Sequence, residues 1–404
     1  MLRLKQKVSA HDGTAWFVSW DPTGDLLSSS GQDKRIRLWR ENDGIYDPVF
    51  VSSESELTHN RTVRRVAWRA DSQLLAAVSF DSTCSIWRRA LNDQLTFVTK
   101  LSGQENEVKG VCFSPCGEML ATCSRDKSIW IFDVSNLMVR RGSNSSEFQQ
   151  VVEGGVNTQE GEFVLPSSPS VVRERVRGED VECLAVLEGH SQDVKSVKFS
   201  PHDSHMLVSV SYDDSVKVWR STTSDDWQLS DTLKGHAGTV WELAFNPCNP
   251  DEFASVSADG SVKFWSRRPI PPRIKTADSY LLAGPLGVSS RRHRAHTRFS
   301  PVTDSWSCQT VQITSSLVEN FPPQPVYAID WTCEGFIVLG CGDNTLRVLY
   351  RSGASTIPVC TIVTHAEPTS VAFQQKKTDR LAVSFEDGSL CIYQLEGLSD
   401  FLCS

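Results

Sequence analysis

The 404-residue sequence contains no run of about 18 apolar residues, so no segment is predicted to cross a membrane as a helix. It also has no excess of positive charge. Its 41 lysine and arginine residues are outnumbered by 49 acidic residues, and the net charge of -8 argues against a general nucleic-acid-binding protein. Residues 1–7 alternate apolar and charged side chains, which predicts a β-strand and not a signal peptide.

The sequence also lacks the short motifs of common catalytic sites. There is no glycine-rich phosphate loop, no HExxH and no GxSxG, and no nucleophile lies beside a recognisable base. The twelve cysteines form no CxxC pair, which favours buried free thiols in a reducing compartment. Cys112 and Cys116 are compatible with a shared metal, but a strand cysteine followed by an exposed turn cysteine is the favoured interpretation. We therefore expect no catalytic residue, no metal and no cofactor.

What the sequence does contain is an internal repeat. A turn-like aspartate is followed, six residues later, by a residue that ends a strand-like run. The seven pairs are Asp33/Trp39, Asp81/Trp87, Asp126/Phe132, Asp213/Trp219, Asp259/Trp265, Asp343/Leu349 and Asp387/Tyr393. Consecutive aspartates are 44 to 48 residues apart, except for two intervals of 87 and 84 residues that each hold one repeat and an insertion of about 40 residues.

Several repeats also begin with a histidine that precedes apolar residues at fixed spacing, namely His59, His190 and His236. Gln104 replaces this histidine in the third repeat, and Pro322 falls at its place in the sixth. A half-buried aspartate must accept hydrogen bonds, and imidazole, hydroxyl and indole groups can donate them. We therefore interpret the repeated histidines, aspartates and tryptophans as structural and not catalytic.

The Gly-His pairs at 189–190 and 235–236, the repeat length and the strands ending in tryptophan resemble the WD-repeat family. The resemblance implies an all-β fold class: a seven-bladed β-propeller with four antiparallel strands in each blade. In that family the entry histidine, a strand hydroxyl, the turn aspartate and the tryptophan form one hydrogen-bonded network. We expect residues 2–8 to complete the last blade, because closure with an N-terminal strand removes an exposed sheet edge.

The whole chain, residues 1–404, is expected to form this single propeller. The insertions, at about 135–180 and 266–306, are rich in turn-forming and charged residues and are predicted to be flexible loops between blades three and four and between blades five and six. The second insertion holds Arg291-Arg-His-Arg294. This basic run could be a localisation or phosphate-contact patch, but a solvated loop is the favoured interpretation.

Two positions in each repeat are expected to line the face on which WD-repeat propellers usually bind partners. One lies five residues after the entry histidine or its equivalent, and the other lies immediately before the turn aspartate. The first position gives Trp16, Arg64, Lys109, Lys195, Trp241 and Tyr327 in blades one to six. The second gives Gln32, Phe80, Arg125, Tyr212, Ala258, Gly342 and Glu386.

These positions predict a cationic sector in blades two to four, with Arg125 between Phe80 and Tyr212, beside an aromatic sector in blades five, six and one. Aromatic residues and arginine are typical of interface hot spots, and arginine can pair with a carboxylate and stack on a ring. We expect the face to bind an acidic, partly aromatic peptide, with a chain terminus and its free carboxylate as one form. The alternative is a set of scattered side chains that only solvate the rim.

Longer stretches resemble the WD-repeat subunits of cytosolic iron–sulfur protein assembly. They are Trp16-Phe-Val-Ser-Trp20, residues 61–68, 106–109, 120–130, 190–195, 211–217, 225–227 and 238–241. This resemblance implies a non-catalytic scaffold of the targeting complex that delivers iron–sulfur clusters to cytosolic and nuclear apoproteins. It implies a DUF59-type (MIP18-like) subunit, a HEAT-repeat adaptor and apoprotein clients as partners, some clients being recognised by C-terminal tails. It also implies a functional role for Arg125, a cytoplasmic location with the nucleus as a second candidate, and no direct nucleic-acid or membrane partner.

Two further points qualify this resemblance. Some members carry a Leu-Tyr-Arg linked to co-chaperone contact at the end of blade four, where this sequence has Val218-Trp-Arg220, whereas Leu349-Tyr-Arg351 ends blade six. The competing hypothesis is a substrate receptor or adaptor of a ubiquitin-ligase or chromatin complex. Such receptors usually end a repeat in Trp-Asp-x-Arg, and the Trp-Arg endings at 39–40, 87–88 and 219–220 argue against it.

Overall fold

The computed structural model describes residues 2–52, 59–137, 181–267, 306–313, 323–376 and 379–396. In these ranges 28 β-strands form seven four-stranded antiparallel sheets, and a single 3₁₀ turn covers Ser135–Leu137. Strand β1 is Leu2–Ser9. The strands of blade one are β2 Ala15–Trp20, β3 Leu26–Gly31, β4 Ile36–Asn42 and β5 Ile45–Val51. Those of blade two are β6 Val63–Trp68, β7 Leu74–Ser79, β8 Cys84–Arg89 and β9 Leu95–Leu101.

The remaining blades follow the same order, each sheet running from an inner to an outer strand. Blade three has β10 Val108–Phe113, β11 Met119–Ser124, β12 Ile129–Asp133 and β13 Glu182–Leu187. Blade four has β14 Val194–Ser200, β15 Asp203–Ser211, β16 Ser215–Arg220 and β17 Gln228–Lys234. Blade five has β18 Val240–Phe245, β19 Glu252–Ser257, β20 Ser261–Arg267 and β21 Trp306–Gln312. Blade six has β22 Val326–Trp331, β23 Phe336–Cys341, β24 Thr345–Ser352 and β25 Ser355–Val363. Blade seven has β26 Pro368–Phe373, β27 Arg380–Phe385 and β28 Ser389–Leu395.

The first strands of consecutive blades contact one another in a closed ring. The order of contact is β2, β6, β10, β14, β18, β22, β26 and back to β2. The sheets are therefore the seven blades of a β-propeller, as the repeat predicted. Strand β1 pairs antiparallel with β28, from Leu2 opposite Leu395 to Ser9 opposite Ser389, which confirms that the N-terminal strand completes the last blade.

The hydrophobic core lies between neighbouring blades. One cluster, for example, joins Leu26 and Ile36 of blade one to Val63 and Trp87 of blade two. The second strands are buried along almost their whole length, because they are covered on both faces by adjacent sheets. Outer strands such as β13 and β17 are mostly exposed.

The insertions occupy different places from those expected. Strands β13 and β21 are the outermost strands of blades three and five, so each insertion lies between the third and fourth strands of one blade and not between two blades. Residues 135–137 and 266–267 belong to ordered elements, and Leu137 is buried in the core beside blade two. The sequence pattern did not assign β13 and β21 to these blades because an insertion separates each of them from the first three strands of its blade. Residues 138–180 and 268–305, with the basic run at 291–294, lie outside the described residues, as does Pro322.

The repeated polar residues form a network inside the blades. In blade four, His190 Nδ1 lies 2.9 Å from Asp213 Oδ2, His190 Nε2 lies 2.8 Å from Ser209 Oγ, and Trp219 Nε1 donates to the same hydroxyl over 2.9 Å. Burial lowers the pKa of His190 despite Asp213, which keeps the ring neutral. Since the aspartate accepts the Nδ1 proton, Nε2 accepts from the serine, which accepts from the indole.

The same network recurs in three other blades. Its members are His11, Ser29, Asp33 and Trp39 in blade one, His59, Asp81, Ser85 and Trp87 in blade two, and His236, Ser255, Asp259 and Trp265 in blade five. Blade two takes its serine from the third strand. His11 was not among the predicted structural histidines, because it follows alanine where blades four and five have glycine. Burial opposes ionisation of Asp33, but hydrogen bonds from His11 and Arg37 outweigh it and lower its pKa to about 2.

The three divergent blades satisfy the turn aspartate by other means. In blade three, Asp126 accepts from the backbone of Glu105 at 2.9 Å, and Thr122 donates to Gln104 at 3.0 Å. In blade six, Arg347 lies 2.5 Å from Asp343. In blade seven, His365 lies 3.0 Å from Asp387 and 2.9 Å from Ser389. Their terminal residues, Phe132, Leu349 and Tyr393, are all buried.

We predict that Ser29→Ala lowers the free energy of unfolding by about 1–3 kcal/mol, because it leaves the buried His11 and Trp39 nitrogens without a partner. Ser30→Ala is the matched control. Ser30 is equally buried on β3, but its hydroxyl has no hydrogen-bond partner among the described residues, so a change of under about 0.5 kcal/mol is expected. Urea unfolding of both variants measures the difference, and equal effects would contradict a stabilising network.

Candidate protein-binding face

The innermost strand of every blade contains a β-bulge at the same place. In blade two, Val63 is opposite Ser79 and Arg65 is opposite Val78, so Arg64 is an extra residue outside the ladder. A bulge bends its strand and redirects the extra side chain. The extra residues, named here the bulge positions, are Trp16, Arg64, Lys109, Lys195, Trp241, Tyr327 and Thr369. Six of them are the first set of sequence-predicted rim residues.

Thr369 is the seventh bulge position and was missed by the sequence analysis. It lies four residues after His365, whereas the predicted rim position in the other blades lies five residues after the entry histidine or its equivalent, so this spacing did not identify Thr369. Its hydroxyl contacts the backbone carbonyl of Ala15 in blade one and Ser384 Oγ at 2.8 Å.

The residues that precede the turn aspartates lie on the same face. The backbone N–H of Arg125 donates to the carbonyl of Glu107 at 2.9 Å, and that of Tyr212 donates to Asp193 at 2.9 Å. Equivalent bonds join Gln32 to Thr14, Phe80 to Thr62, Ala258 to Thr239, Gly342 to Pro325 and Glu386 to Glu367. Each acceptor lies two residues before a bulge position, so the two sequence-predicted sets meet at one end of the blades.

Arg125 shares a carboxylate with an arginine of the neighbouring blade. Its Nη1 lies 3.1 Å from Glu107 Oε2, and Arg61 Nη2 lies 3.2 Å from Glu107 Oε1. The side chain of Arg125 is 56% exposed, and Glu107 raises the pKa of its guanidinium. The guanidinium of Arg61 lies 6.0 Å from the centre of the Phe80 ring. Arg61 was not among the predicted site residues. Two cations with one anion leave this part of the face positive.

Arg64 is a desolvated cation. Its guanidinium lies 4.9 Å from the Trp16 ring centre, and no carboxylate of the described residues is within ion-pair distance of it. Burial and the neighbouring Arg65 lower the pKa of Arg64 to about 10. An unneutralised, half-buried arginine stacked on an indole favours an anionic ligand.

Lys195 brings the cationic and aromatic sectors together. Its Nζ lies 5.0 Å from the ring centres of both Tyr212 and Trp241. Asp193 lies 2.5 Å from Lys109 Nζ and 3.5 Å from Lys195 Nζ. Burial, followed by the charge of Lys109, lowers the pKa of Lys195 to about 8.

The aromatic sector continues into an acidic edge. Trp241 and Tyr327 pack edge-on with ring centres 5.4 Å apart. Burial and then the charges of Glu367 and Glu386 raise the pKa of Tyr327. The described residues place no cation within ion-pair distance of these glutamates, so blade seven gives the face a negative side that the sequence map did not include.

A cavity of about 760 Å³ is lined by five of the bulge positions, Trp16, Arg64, Trp241, Tyr327 and Thr369. Arg65 and Glu242, the next residues along their strands, line it too and pair across the ring from blade two to blade five. Ser196 donates to Glu242 at 2.6 Å. Burial opposes ionisation of Glu242, but Arg65 and Lys198 outweigh it and lower its pKa to about 2. A buried ion pair therefore crosses the axial channel.

The Leu-Tyr-Arg at residues 349–351 contributes to packing between blades. Leu349 is buried, and Arg351 Nη2 lies 2.7 Å from Glu252 with its guanidinium 3.9 Å from the Phe264 ring, so this motif joins blades five and six.

Cys112, the strand cysteine of the Cys112/Cys116 pair, has a thiol whose pKa burial raises to about 12.

Within the described ranges, no group of three or more His, Cys, Asp or Glu side chains is arranged to hold a metal ion. A search of the same residues finds no helix with the length and apolar character needed to cross a membrane.

Comparison with known sequences places the chain in a family. The family model "WD domain, G-beta repeat" matches residues 2–40, 52–88, 95–133, 181–220 and 227–266. The probable cytosolic iron-sulfur protein assembly protein 1 of Vanderwaltozyma polyspora is 30% identical over 259 residues, which are 56% of this chain and 74% of that protein. The chain belongs to the WD-repeat family that includes this protein.

Two further relatives match over shorter parts. The protein of the same name from Candida glabrata is 37% identical over 139 residues, 33% of this chain and 41% of the relative. A probable cytosolic Fe-S cluster assembly factor of Schizosaccharomyces pombe is 33% identical over 223 residues, 54% of this chain and 36% of the relative. The match thus spans less than half the length of both these relatives. The WD-repeat matches cover the sequence of blades one to five. The third of these repeats is matched although Gln104 replaces the entry histidine and Phe132 replaces the tryptophan.

The lowered pKa of Lys195 predicts the pH at which its ammonium group loses its proton. We expect the rate of Lys195 acetylation, followed by mass spectrometry, to reach half its maximum near pH 8, because burial and Lys109 disfavour the ammonium form. Lys109→Met removes a like charge and should raise this midpoint, whereas Asp193→Asn removes the counter-charge and should lower it. A midpoint above about pH 10 in the unmodified chain would contradict the structure.

Proposed function

We propose that this chain is a non-catalytic scaffold in cytosolic iron–sulfur protein assembly. The observation that carries the proposal is the relationship with a protein of that name over 74% of the relative's length. The cluster is cargo in this proposal and needs no ligand from the propeller. The partners are a DUF59-type subunit, a HEAT-repeat adaptor and apoprotein clients, and the work takes place in the cytoplasm, with the nucleus as a second location.

The scaffold acts by binding protein segments on the face that carries the bulge positions. Arg64 supplies an unneutralised cation, and Arg61 and Arg125 share one carboxylate, so an incoming carboxylate finds open N–H donors. Trp16, Trp241 and Tyr327 line the adjoining cavity and offer ring surfaces. This chemistry supports an acidic, partly aromatic peptide as the ligand, including a C-terminal tail with its free carboxylate.

Substitution of Arg125 tests whether an acidic-aromatic peptide binds at this face. We expect Arg125→Glu to weaken binding of an acidic-aromatic C-terminal peptide about tenfold or more, since it reverses the charge at an exposed interface arginine. Lys127→Glu is the matched control, because it makes the same charge change at an exposed position in the same turn, and it should bind within about twofold of the unmodified chain. Titration by fluorescence anisotropy at two salt concentrations measures both. Equal affinities for Arg125→Glu and the unmodified chain would end the proposed site.

Co-purification tests the assembly role separately. The full-length chain, expressed with a DUF59-type subunit and a HEAT-repeat adaptor from the same organism, is expected to elute with both in gel filtration. The Lys127→Glu variant should do the same. Elution of the chain apart from both proteins would overturn the assembly function and leave the peptide-binding result unaffected.

A further inference from the structure

The cavity at the centre of the ring extends beyond the candidate binding face. Its lining includes the bulge positions near the starts of the innermost strands, but also Asp21 and Pro22, which follow the end of β2, and Gln375, which follows β26. The cavity therefore runs along the axial channel to the opposite end of the blades. Its volume of about 760 Å³ is in the range of small-molecule pockets.

Charged side chains face this channel at two levels. Arg65 and Glu242, which pair across the ring, each lie one position after a bulge position. Lys198 on β14 and Asp330 on β22 lie three positions after the bulge positions of their strands and also line the cavity. Since a strand rises about 3.3 Å per residue, this second level lies about 7 Å farther along the strands than the ion pair. The part of the cavity that Lys198 and Asp330 line is named here the inner chamber.

Small side chains leave the inner chamber open. All seven positions of this level lie in described strands, and the five other than Lys198 and Asp330 are Ser19, Ala67, Cys112, Ala244 and Ala372. Burial raises the pKa of the Cys112 thiol to about 12, so this residue is neutral. One cation and one anion are therefore the charges of this level.

Asp330 has no counter-ion in the chamber. Its Oδ2 accepts the backbone N–H of Phe373 at 2.7 Å, and no lysine, arginine or histidine among the described residues lies within ion-pair distance of it. Burial raises the pKa of its carboxyl group, and the charge of Lys198 opposes this rise. Because a buried carboxylate is costly without a cationic partner, Asp330 favours a ligand that brings an ammonium group.

Lys198 is also incompletely partnered. Its Nζ lies 3.7 Å from Glu242 Oε1, which is beyond hydrogen-bond distance, and it donates no hydrogen bond to the described residues. Glu242 is already shared with Arg65 and accepts from the Ser196 hydroxyl at 2.6 Å. The Lys198 side chain is 31% exposed, so its three N–H donors can be reached through the channel. Lys198 therefore favours a ligand that brings a carboxylate.

We propose that the inner chamber binds a small zwitterion, namely a free α-amino acid with a short apolar side chain. Its carboxylate accepts from Lys198, its ammonium group donates to Asp330, and its side chain contacts Ala67 and Ala372. A ligand with both charges provides a partner for each protein charge, whereas an amine or a carboxylate alone leaves one of them unpaired. The cross-channel ion pair separates this site from the bulge positions, and the proposal is independent of the peptide that binds there.

Isothermal titration calorimetry of the full-length chain with glycine, L-alanine and L-valine tests the proposal. We expect saturable binding of L-valine with one site per chain. Isobutylamine is L-valine without its carboxylate, and 3-methylbutanoate is L-valine without its ammonium group. Each should bind about tenfold more weakly than L-valine or worse, because one charge of the chamber stays unpaired.

Two variants assign the two charges of the ligand. Asp330→Asn keeps an acceptor for the Phe373 N–H but removes the carboxylate charge, so it should weaken L-valine about tenfold and leave 3-methylbutanoate nearly unchanged. Lys198→Met should weaken L-valine to a similar extent and leave isobutylamine nearly unchanged. Asp251→Asn is the matched control, because Asp251 is an exposed aspartate in the turn after β18, and it should bind L-valine like the unmodified chain. Circular dichroism of each variant verifies folding.

Three results would overturn the proposal. One is the absence of binding by all three amino acids to the unmodified chain. A second is an affinity of either analogue equal to or above that of L-valine. The third is L-valine binding that neither Asp330→Asn nor Lys198→Met weakens, because the ligand would then lie outside the inner chamber.

Discussion

The pairing of β1 with β28 is the contact on which the ring depends. Each blade packs its apolar faces only against two neighbours, so an open ring would leave the faces of blades one and seven uncovered. Leu2 lies in the cluster that joins blade seven to blade six, with Phe336 and Leu381, while Val8 packs beside Trp39 and Leu390 at the boundary with blade one. One strand therefore fastens both boundaries of the last blade. Closure also covers the edge of β28, which would otherwise present unpaired backbone groups.

Within this ring, the residues that stabilise a blade are separate from the bulge position on its innermost strand. The hydrogen-bonded network of His190, Ser209, Asp213 and Trp219 holds blade four together, and the Arg65–Glu242 ion pair joins blade two to blade five across the cavity. The bulge leaves one residue per blade outside the ladder, so its side chain is not needed for sheet pairing. The seven bulge positions can therefore differ widely, from Thr369 to Trp241, without a change of fold.

The parts of the fold that depend on fixed local spacing could be predicted from sequence. In blades one, two, four and five the turn aspartate and the tryptophan six positions later, such as Asp213 and Trp219, join the same kind of network, and the spacing of six is kept in all seven repeats, so it identifies the propeller. The outer strands β13 and β21 could not be assigned to their blades from sequence, because the insertions separate them from the strands with which they pair. Contacts between blades were equally inaccessible. The Arg61–Glu107–Arg125 group joins residues from different repeats, and no local sequence pattern indicates which side chains meet there.

The contacts that Arg125 and Arg64 make in the structure predict different contributions of these two cations to binding an anionic ligand. Arg125 is exposed and already shares Glu107, so solvent and a counter-charge weaken its attraction for a distant ligand; in the proposed site its contribution is to partner choice and orientation. Arg64 is partly buried over Trp16, donates only to the Trp16 carbonyl at 3.4 Å, and has no carboxylate at ion-pair distance among the described residues, so part of its desolvation precedes ligand binding. A charge in that position gains more from one carboxylate than an exposed charge does, because the surrounding dielectric is lower. In the proposed binding site, the bulge that turns Arg64 toward the cavity therefore places the stronger anion-binding group beside the aromatic residues, and Arg125 contributes to the choice of ligand.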